Sequence, residues 1–357
     1  MVDIDWILNG HTHLNFEAGI ACRLQCGGCM MRHDMKSTEM GWPDRYNIRF
    51  ESYKVILDTF KNYDFCGNLS DPIYHPDFIK TLEYMKGKNK KMIFHTNGSG
   101  KSKTWWTKVF TLCQGEKRWS WTFALDGLPE DSHKYRIKQN GEQVWEMMQL
   151  GKSLGANIAW QYIVFKYNQN DIQEANLLAA QYDIKFMEMH STRWIDDSTT
   201  DFGGTGTGVD MTIYKPDEKH HTQPRRKLND NDKKHSNIII KTSAPVKRKV
   251  EIDPDCLSTK LRKPIMFNSM GYFIPCCEKD QWVDSLRKRG FYEERFHIDN
   301  LKTPEDIRNV FLSDVWQNFY DGLFNDPENA PRNCKTFCMK NTNVKSDGAG
   351  KDPKGFV

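Results

Sequence analysis

Three cysteines stand within eight residues near the start of the chain, at Cys22, Cys26 and Cys29. Thiolates are the usual protein ligands of iron–sulfur clusters. Three thiolates on one short segment can bind three irons of a cubane cluster and leave the fourth iron without a protein ligand. An iron with an open coordination position can bind a further molecule and take part in its chemistry.

The same cysteine triplet has other interpretations. A zinc site usually shows four ligands in paired C-x2-C form. A disulfide framework is typical of small secreted domains, whereas this chain has 357 residues and no N-terminal apolar run with a small-residue cleavage site. Inert thiols are a further alternative. The cysteine spacing alone does not decide among a cluster, a zinc site, disulfides and inert thiols. The helices and strands that position the cysteines are therefore considered next.

Predicted strands alternate with amphipathic helices as far as residue 190. Apolar positions at helical spacing predict helices within 52–63, 77–85, 141–154 and 170–182, and the predicted strands include 13–20, 156–165 and 184–189. Six such strands with intervening helices predict an α/β fold, an open (β/α)6 partial TIM-like barrel, with ligand-binding groups at the carboxyl ends of its strands. The cysteine triplet follows the first strand and so falls at such an end.

The C-x3-C-x2-C spacing of Cys22, Cys26 and Cys29 resembles the signature of radical S-adenosylmethionine (SAM) enzymes. The resemblance implies a [4Fe-4S] cluster whose open iron is chelated by the amino and carboxylate groups of SAM. An electron from the cluster then cleaves SAM to a 5′-deoxyadenosyl radical, while the protein supplies orientation and exclusion of water. Gly28 departs from the pattern, because the family usually has an aromatic residue there.

Further segments resemble motifs of the same family in the expected order. Residues 63–72 resemble the Gly-rich motif that receives the SAM amino group, and 94–98 resemble the third-strand T-N-G element. Residues 121–127 are similar to the fourth-strand S-x-D-G motif, with Ala124 in place of its serine, and Arg136 matches the arginine that commonly holds the SAM carboxylate. The resemblance implies SAM-binding roles for Gly67, Asn68, Thr96, Asn97, Asp126 and Arg136.

A second group of cysteines lies near the C-terminus. Segment 264–276 predicts a β-hairpin, because apolar runs flank an Asn-Ser-Met-Gly turn. Its C-x14-G-x4-C spacing resembles the auxiliary-cluster region of SPASM and twitch radical SAM enzymes, which implies a twitch-like domain with one auxiliary [4Fe-4S] cluster. The implied ligands are Cys256, Cys276, Cys334 and Cys338.

Two alternatives remain for this second group. Cys277 competes with its neighbour for one ligand position, and the same thiolates can hold a structural zinc instead of a cluster. Cys66 and Cys113 lie outside both groups and are interpreted as small buried hydrophobic side chains.

These features divide the chain into four predicted parts. They are a radical SAM partial barrel at 1–190, a polar linker or insertion at 191–254, a twitch-like auxiliary-cluster domain at 255–345 and a flexible tail at 346–357. No run of about 18 apolar residues predicts a membrane-spanning helix. The net charge of +4, with 51 basic against 47 acidic residues, is not the strongly basic balance of a dedicated nucleic-acid-binding protein.

The resemblance implies an oxidoreductase-type radical SAM enzyme that abstracts hydrogen from a peptide, a protein or a small molecule and oxidises or modifies it. Alternatives are action on a nucleotide or nucleic acid, contacted by the basic loop around Arg225 and Arg226, and a non-catalytic iron–sulfur or zinc scaffold. Clusters and free thiols predict a reducing compartment, the cytoplasm. Electrons are expected from an external flavodoxin or ferredoxin, because the chain shows no flavin or nicotinamide motif.

Overall fold

The computed structural model describes residues 8, 13–26, 29, 45–190, 200–201, 212–220, 251–252, 265–277, 283–331, 334–335 and 338. Most of the predicted linker and the predicted tail therefore lie outside the described residues. Within 200–213, strands β7 (Thr200–Asp201) and β8 (Thr212–Ile213) form a separate two-stranded antiparallel sheet.

The described chain is organised around an open sheet of eight strands. They are β1 (Leu14–Phe16), β2 (Asn62–Phe65), β3 (Lys91–Thr96), β4 (Trp119–Ala124), β5 (Ile158–Val164), β6 (Lys185–His190), β9 (Met266–Phe267) and β10 (Phe273–Ile274). Their order across the sheet is β10-β9-β1-β2-β3-β4-β5-β6. Every pairing from β9 through β1 to β6 is parallel, and only β10 runs antiparallel to its neighbour. The predicted α/β partial barrel is thereby confirmed, and the sheet does not close.

Helices connect the successive parallel strands and cover one face of the sheet. They are α1 (Phe50–Thr59), α2 (Phe78–Met85), α3 (Lys103–Cys113), α4 (Gly141–Ser153) and α5 (Ile172–Gln181). Helix α3 was not among the predicted helices; it begins where the Ser102 side chain accepts a hydrogen bond from the Trp105 backbone N–H at 3.2 Å. Each helix turns its apolar face toward the sheet.

An aromatic core fills the space between the sheet and the helices. Phe94 of β3 and Trp121 of β4 stack with ring centroids 4.4 Å apart, and Trp106 of α3 packs edge-on against Trp121 at 5.5 Å. Side chains of a strand alternate between its two faces. Alternate residues of β3, such as Ile93 and His95, therefore lie on the opposite, concave face, where they are only partly buried. The concave face is left for polar and ligand-binding groups.

The predicted C-terminal hairpin is confirmed and joins the barrel sheet. Strands β9 and β10 pair antiparallel, and β9 pairs in parallel with β1, so that Asn15 lies beside Met266. The described residues after the hairpin include three helices, α6 (Val283–Arg287), α7 (Pro304–Leu312) and α8 (Asp314–Asn325). Their buried side chains, including Phe311 and Trp316, belong to the same apolar core as the barrel strands. In the described residues, the hairpin thus extends the barrel rather than standing apart from it.

Gly271 in the hairpin turn offers a test of this docking. Its φ is +86°, and an added Cβ would lie 2.5 Å from Nε2 of His297. Gly271→Ala is expected to cost about 2–3 kcal/mol of unfolding free energy, from backbone strain plus the clash. Gly87 is the matched control, because its φ is +77° but nothing lies within 4 Å of an added Cβ. Equal losses in urea unfolding of the two variants would contradict the predicted contact.

Among the described residues, none of the helices is both long and apolar enough to cross a membrane.

Candidate functional site

The loop that carries Cys22, Cys26 and Cys29 leaves the carboxyl end of β1 and is anchored at both sides. The Asp71 N–H, in the segment after β2, donates to the Ala21 carbonyl at 3.0 Å. The Gln25 N–H donates to the carbonyl of Ile137, in the segment after β4, at 3.1 Å. The loop is therefore fixed between segments that follow two other strands.

The three thiols share one largely apolar pocket. Cys26 is buried with Leu24, Tyr135, Ile163 and Phe165, and Cys22 and Cys29 pack against that cluster. All three cysteines are free thiols. The fold therefore brings the three cysteines to one apolar cluster, and their role stays a prediction.

Electrostatics make these thiols costly to ionise without a bound cation. Burial raises the pKa of Cys26 to about 12, although the Arg136 guanidinium acts in the opposite direction. Burial also raises the pKa of Cys22, and the Asp71 carboxylate and the other two thiolates add to the rise. Metal binding deprotonates such thiols and offsets their mutual repulsion.

The spacing of the trio differs from that of a single-ion site. Four thiolates around one zinc at about 2.3 Å place their sulfurs under 4 Å apart. Among the described residues, the trio does not form a group whose ligand atoms all lie within 4.8 Å of one another. The three cysteines are therefore not arranged as a preformed single-zinc site in the described structure.

Asp71 organises the residues next to the cysteine loop, although the motif analysis did not assign it a role. Its Oδ2 accepts hydrogen bonds from the Asn97 backbone N–H at 2.7 Å and from Asn97 Nδ2 at 2.6 Å. The Thr96 hydroxyl donates to Oδ1 at 2.9 Å. Asn97 Nδ2 also lies 3.4 Å from Sγ of Cys22 as a donor. Two predicted SAM-binding residues are thereby tied to the cysteine loop through one buried carboxylate.

Titration of Asp71 gives a pH test of its burial. Burial raises the pKa of Asp71 from 3.8 to about 6, more than its hydrogen-bond donors lower it. The folded state thus favours the protonated carboxyl of Asp71. The stability that this preference contributes is present below about pH 4 and is lost as pH rises through 6. The loss is on the order of 3 kcal/mol.

Asp71→Asn cannot titrate and serves as the reference for that prediction. In urea unfolding of the cluster-free chain, the stability of the wild type relative to Asp71→Asn is expected to fall by this amount between pH 4 and pH 7. A difference that stays constant over this range would mean that the carboxyl pKa is not shifted.

Gly67 and Asn68 lie at the carboxyl end of β2, but their surroundings differ. An added Cβ at Gly67 would lie 2.4 Å from the Ser70 carbonyl oxygen, so only glycine fits this turn. Asn68 Nδ2 donates to the Cys277 carbonyl at 3.0 Å, which directs that amide toward the C-terminal segment rather than the cysteine trio. Asn68 thus connects the barrel to the hairpin.

Asp126 and Arg136 form a buried ion pair behind the trio. Asp126 Oδ2 lies 2.7 Å from Arg136 Nε, and the two side chains are 0% and 13% exposed. Asp126 Oδ1 accepts the Ile163 backbone N–H at 2.7 Å. Arg136 also influences the pKa of Cys26, which places its positive charge near the trio. Asp126 thus holds the Arg136 guanidinium in place beside the cysteine pocket.

The second cysteine group is only partly within the described residues. Cys256 lies outside them. Cys276, Cys277, Cys334 and Cys338 are partly buried and pack against the main core. The Cys338 N–H donates to the Cys334 carbonyl at 3.0 Å, one helical turn, which places these two side chains on one face. The ligand set of an auxiliary site stays a prediction.

The two remaining cysteines differ from each other. Cys113 is buried, and its Sγ accepts a hydrogen bond from Trp121 Nε1 at 3.4 Å, as expected of a core thiol. Cys66 is partly buried, and its sulfur lies within 4.8 Å of ligand atoms of Asp64 and His95, a proximity that the sequence interpretation did not include. The signal that was available is spacing: Cys66 follows β2, and His95 lies near the end of β3.

Comparison with solved structures identifies the fold. Streptococcus suis SuiB superimposes with a TM-score of 0.51 at 13% identity, over 85% of this chain and 66% of SuiB. SuiB bound to its precursor peptide SuiA superimposes with a TM-score of 0.43 at 15% identity, over 52% of this chain and 41% of that chain. Native anSMEcpe with bound AdoMet superimposes with a TM-score of 0.48 at 17% identity, over 86% of this chain and 82% of that chain.

The chain thus spans just under two thirds of SuiB in one structure and well under half in the other. No protein-family model and no curated protein sequence matches it. The identities are low, so the likeness concerns architecture alone. The open parallel sheet, with a cysteine loop after its first strand, has the fold of the radical SAM enzymes.

Proposed function

We propose that the chain is a radical SAM enzyme in which Cys22, Cys26 and Cys29 hold a [4Fe-4S] cluster. The observation that carries the proposal is the pocket itself, where three free thiols share one apolar cluster after the first strand of a partial barrel. When bound, the cluster and SAM supply a 5′-deoxyadenosyl radical that abstracts hydrogen from a substrate.

The residues around the trio have definite roles in this proposal. The Asn97 amide donates toward Sγ of Cys22 and thereby tunes the reduction potential of the bound cluster, because hydrogen bonds to ligand sulfurs do so. Asp71 orients that amide through its own hydrogen bond. The Arg136 charge favours the thiolate of Cys26. Leu24 and Phe165 keep water away from the pocket.

SAM contacts are assigned on the same basis. The tight turn at Gly67, which packs against Ser70 and Glu17, is assigned to the SAM amino group. The Arg136 guanidinium, oriented through Nε by Asp126, offers further N–H donors to the SAM carboxylate. Thr96 and Asn68 are assigned as residues that position these turns, because their side chains bond to Asp71 and to the Cys277 carbonyl.

The substrate lies, in this proposal, on the concave face of the sheet. A peptide or a small molecule is the proposed class, and oxidation is the proposed outcome. SuiB, whose fold the chain shares, binds the precursor peptide SuiA, so a peptide is the first class to test. Cys256, Cys276, Cys334 and Cys338 are proposed to hold one auxiliary [4Fe-4S] cluster. A flavodoxin or ferredoxin in the cytoplasm is the proposed electron donor.

Reductive SAM cleavage is the test of this function. The full chain is reconstituted anaerobically with iron and sulfide, reduced with dithionite and incubated with SAM. We expect 5′-deoxyadenosine and methionine, together with a change in the electron paramagnetic resonance spectrum of the reduced cluster when SAM binds. An intact cluster that produces no 5′-deoxyadenosine would favour a non-catalytic scaffold and overturn the proposal.

A further inference from the structure

Asp64, Cys66 and His95 meet on the concave face of the sheet, apart from both cysteine groups. One ligand atom from each lies within 4.8 Å of the others, and this is the one such group found among the described residues. The sheet register explains the meeting. Phe65 of β2 pairs with Phe94 of β3, so the next residue of each strand, Cys66 and His95, also lie side by side. Asp64 stands on the same face two residues earlier.

The donor types in this group suit a transition metal. A carboxylate oxygen, a thiolate sulfur and an imidazole nitrogen are each established ligands of zinc. A thiolate disfavours Mg²⁺ and Ca²⁺, which take oxygen ligands. Asp64 Oδ1 and His95 Nε2 already lie 3.1 Å apart. Three protein ligands with an open fourth position are typical of catalytic zinc sites rather than structural ones.

A neighbouring buried amide supplies an independent observation. Asn15 of β1 pairs with Asp64 of β2, so both side chains lie on the same face of adjacent strands. Asn15 is 4% exposed, and its Oδ1 is a buried acceptor with no hydrogen-bond partner in the described part of the chain. A buried oxygen without a donor is costly. A cation, or a water held by one, next to Asp64 would satisfy it.

The local charge also favours a cation. Burial raises the pKa of Cys66, and the carboxylates of Asp64, Glu17 and Asp71 raise it further. The imidazole of His95 lies beside Asp64, and Lys91 and Asp64 act in opposite directions on the pKa of His13 nearby. A divalent ion would displace the thiol and imidazolium protons and offset these carboxylates.

We propose that Asp64, Cys66 and His95 bind one zinc ion, with the Asn15 amide oxygen facing it. The side chains of Asp64 and His95 are 22% and 30% exposed, so the site is partly open to the concave face. Three protein ligands leave a fourth position there for an exchangeable water, which can donate to the Asn15 amide oxygen. That position is suited to an oxygen or nitrogen atom of a molecule bound on this face. The site shares no ligand with the Cys22, Cys26 and Cys29 trio.

Metal content of matched variants tests the site in the full, cluster-reconstituted chain. Wild type, Cys66→Ser, Asp64→Asn and Cys113→Ser are equilibrated with Zn²⁺, desalted and analysed for zinc and iron. We expect about one more zinc per chain in wild type and Cys113→Ser than in the other two variants, whose zinc affinity falls at least about 100-fold. Iron content should not differ. Cys113 is the control, because it is a buried thiol away from the cluster.

A second measurement follows the reactivity of each cysteine separately and needs no variant. Zn²⁺ is added to wild-type chain, thiols are alkylated, and peptide mapping follows the rate at each cysteine. Zinc is expected to slow alkylation of Cys66 at least about tenfold, since the metal-bound sulfur is no longer a free nucleophile. Equal zinc content in wild type, Cys66→Ser and Asp64→Asn, or alkylation of Cys66 that zinc leaves unchanged, would overturn the proposal.

Discussion

Replacing Cys22, Cys26 and Cys29 together by alanine is expected to remove about four iron atoms per chain and to abolish SAM cleavage. The physical reason is that the pocket offers three thiols in one apolar cluster. Without thiolates, neither the apolar side chains nor the Asn97 amide can hold iron. Iron is measured on anaerobically reconstituted protein, and cleavage is measured as 5′-deoxyadenosine after reduction.

The control for the triple variant is Cys113→Ala, which removes a buried thiol that bonds to Trp121 instead of facing the pocket. It should keep the iron content and the cleavage activity of wild type, although losing core packing costs it some stability. Circular dichroism and the unfolding midpoint establish that the triple variant is folded. If a folded triple variant still cleaves SAM, or if the wild-type trio holds only zinc, the assigned cluster site is wrong.

The barrel was predictable because its signals are local. Parallel strands buried on both sides give short apolar runs, and the helices between them carry apolar residues at helical spacing. Predicted helix 141–154 and observed helix Gly141–Ser153 differ by one residue at the C-terminal end. Helix α3 went unpredicted because Trp105, Trp106 and Thr107 have only moderate helix propensity, and burial of Trp106 in the tertiary core stabilises it.

The position of the hairpin could not be predicted from sequence. Its turn and apolar runs are local features, so its existence was predicted. Its pairing with β1 joins Phe267 to Phe16, about 250 residues earlier in the chain, and no periodicity encodes such a contact. The division into a barrel and a separate auxiliary domain rested on chain length, the polar stretch at 191–254 and cysteine spacing, and it stays a prediction.

Within the site, sequence motifs located residues but not their partners. The Asp71-Pro72 pair predicts a turn. Only the fold shows that the Asp71 carboxylate accepts hydrogen bonds from Thr96 and Asn97. Cys66 was interpreted as a small buried hydrophobic side chain because it lies outside both cysteine groups in the sequence. Strand register places it beside His95, and register is a tertiary property.

Replacing Arg136 by methionine is expected to have two separable effects. The variant should lose about 3–5 kcal/mol of unfolding free energy, because Asp126 is 0% exposed and would remain as a buried charge without its partner. It should also bind SAM about 30-fold more weakly, which corresponds to about 2 kcal/mol for a lost charged hydrogen bond to the SAM carboxylate. Urea unfolding measures the first effect, and titration of the reduced cluster with SAM measures the second.

The double variant Asp126→Asn/Arg136→Met separates structural support from ligand binding. An asparagine at position 126 can keep the acceptor for the Ile163 N–H, which Asp126 Oδ1 binds at 2.7 Å, while it removes the unpaired charge. Most of the lost stability should therefore return, whereas SAM affinity should stay low, because the guanidinium is still missing. If SAM affinity recovers together with stability in the double variant, Arg136 acts only by neutralising Asp126. In that case another group holds the SAM carboxylate.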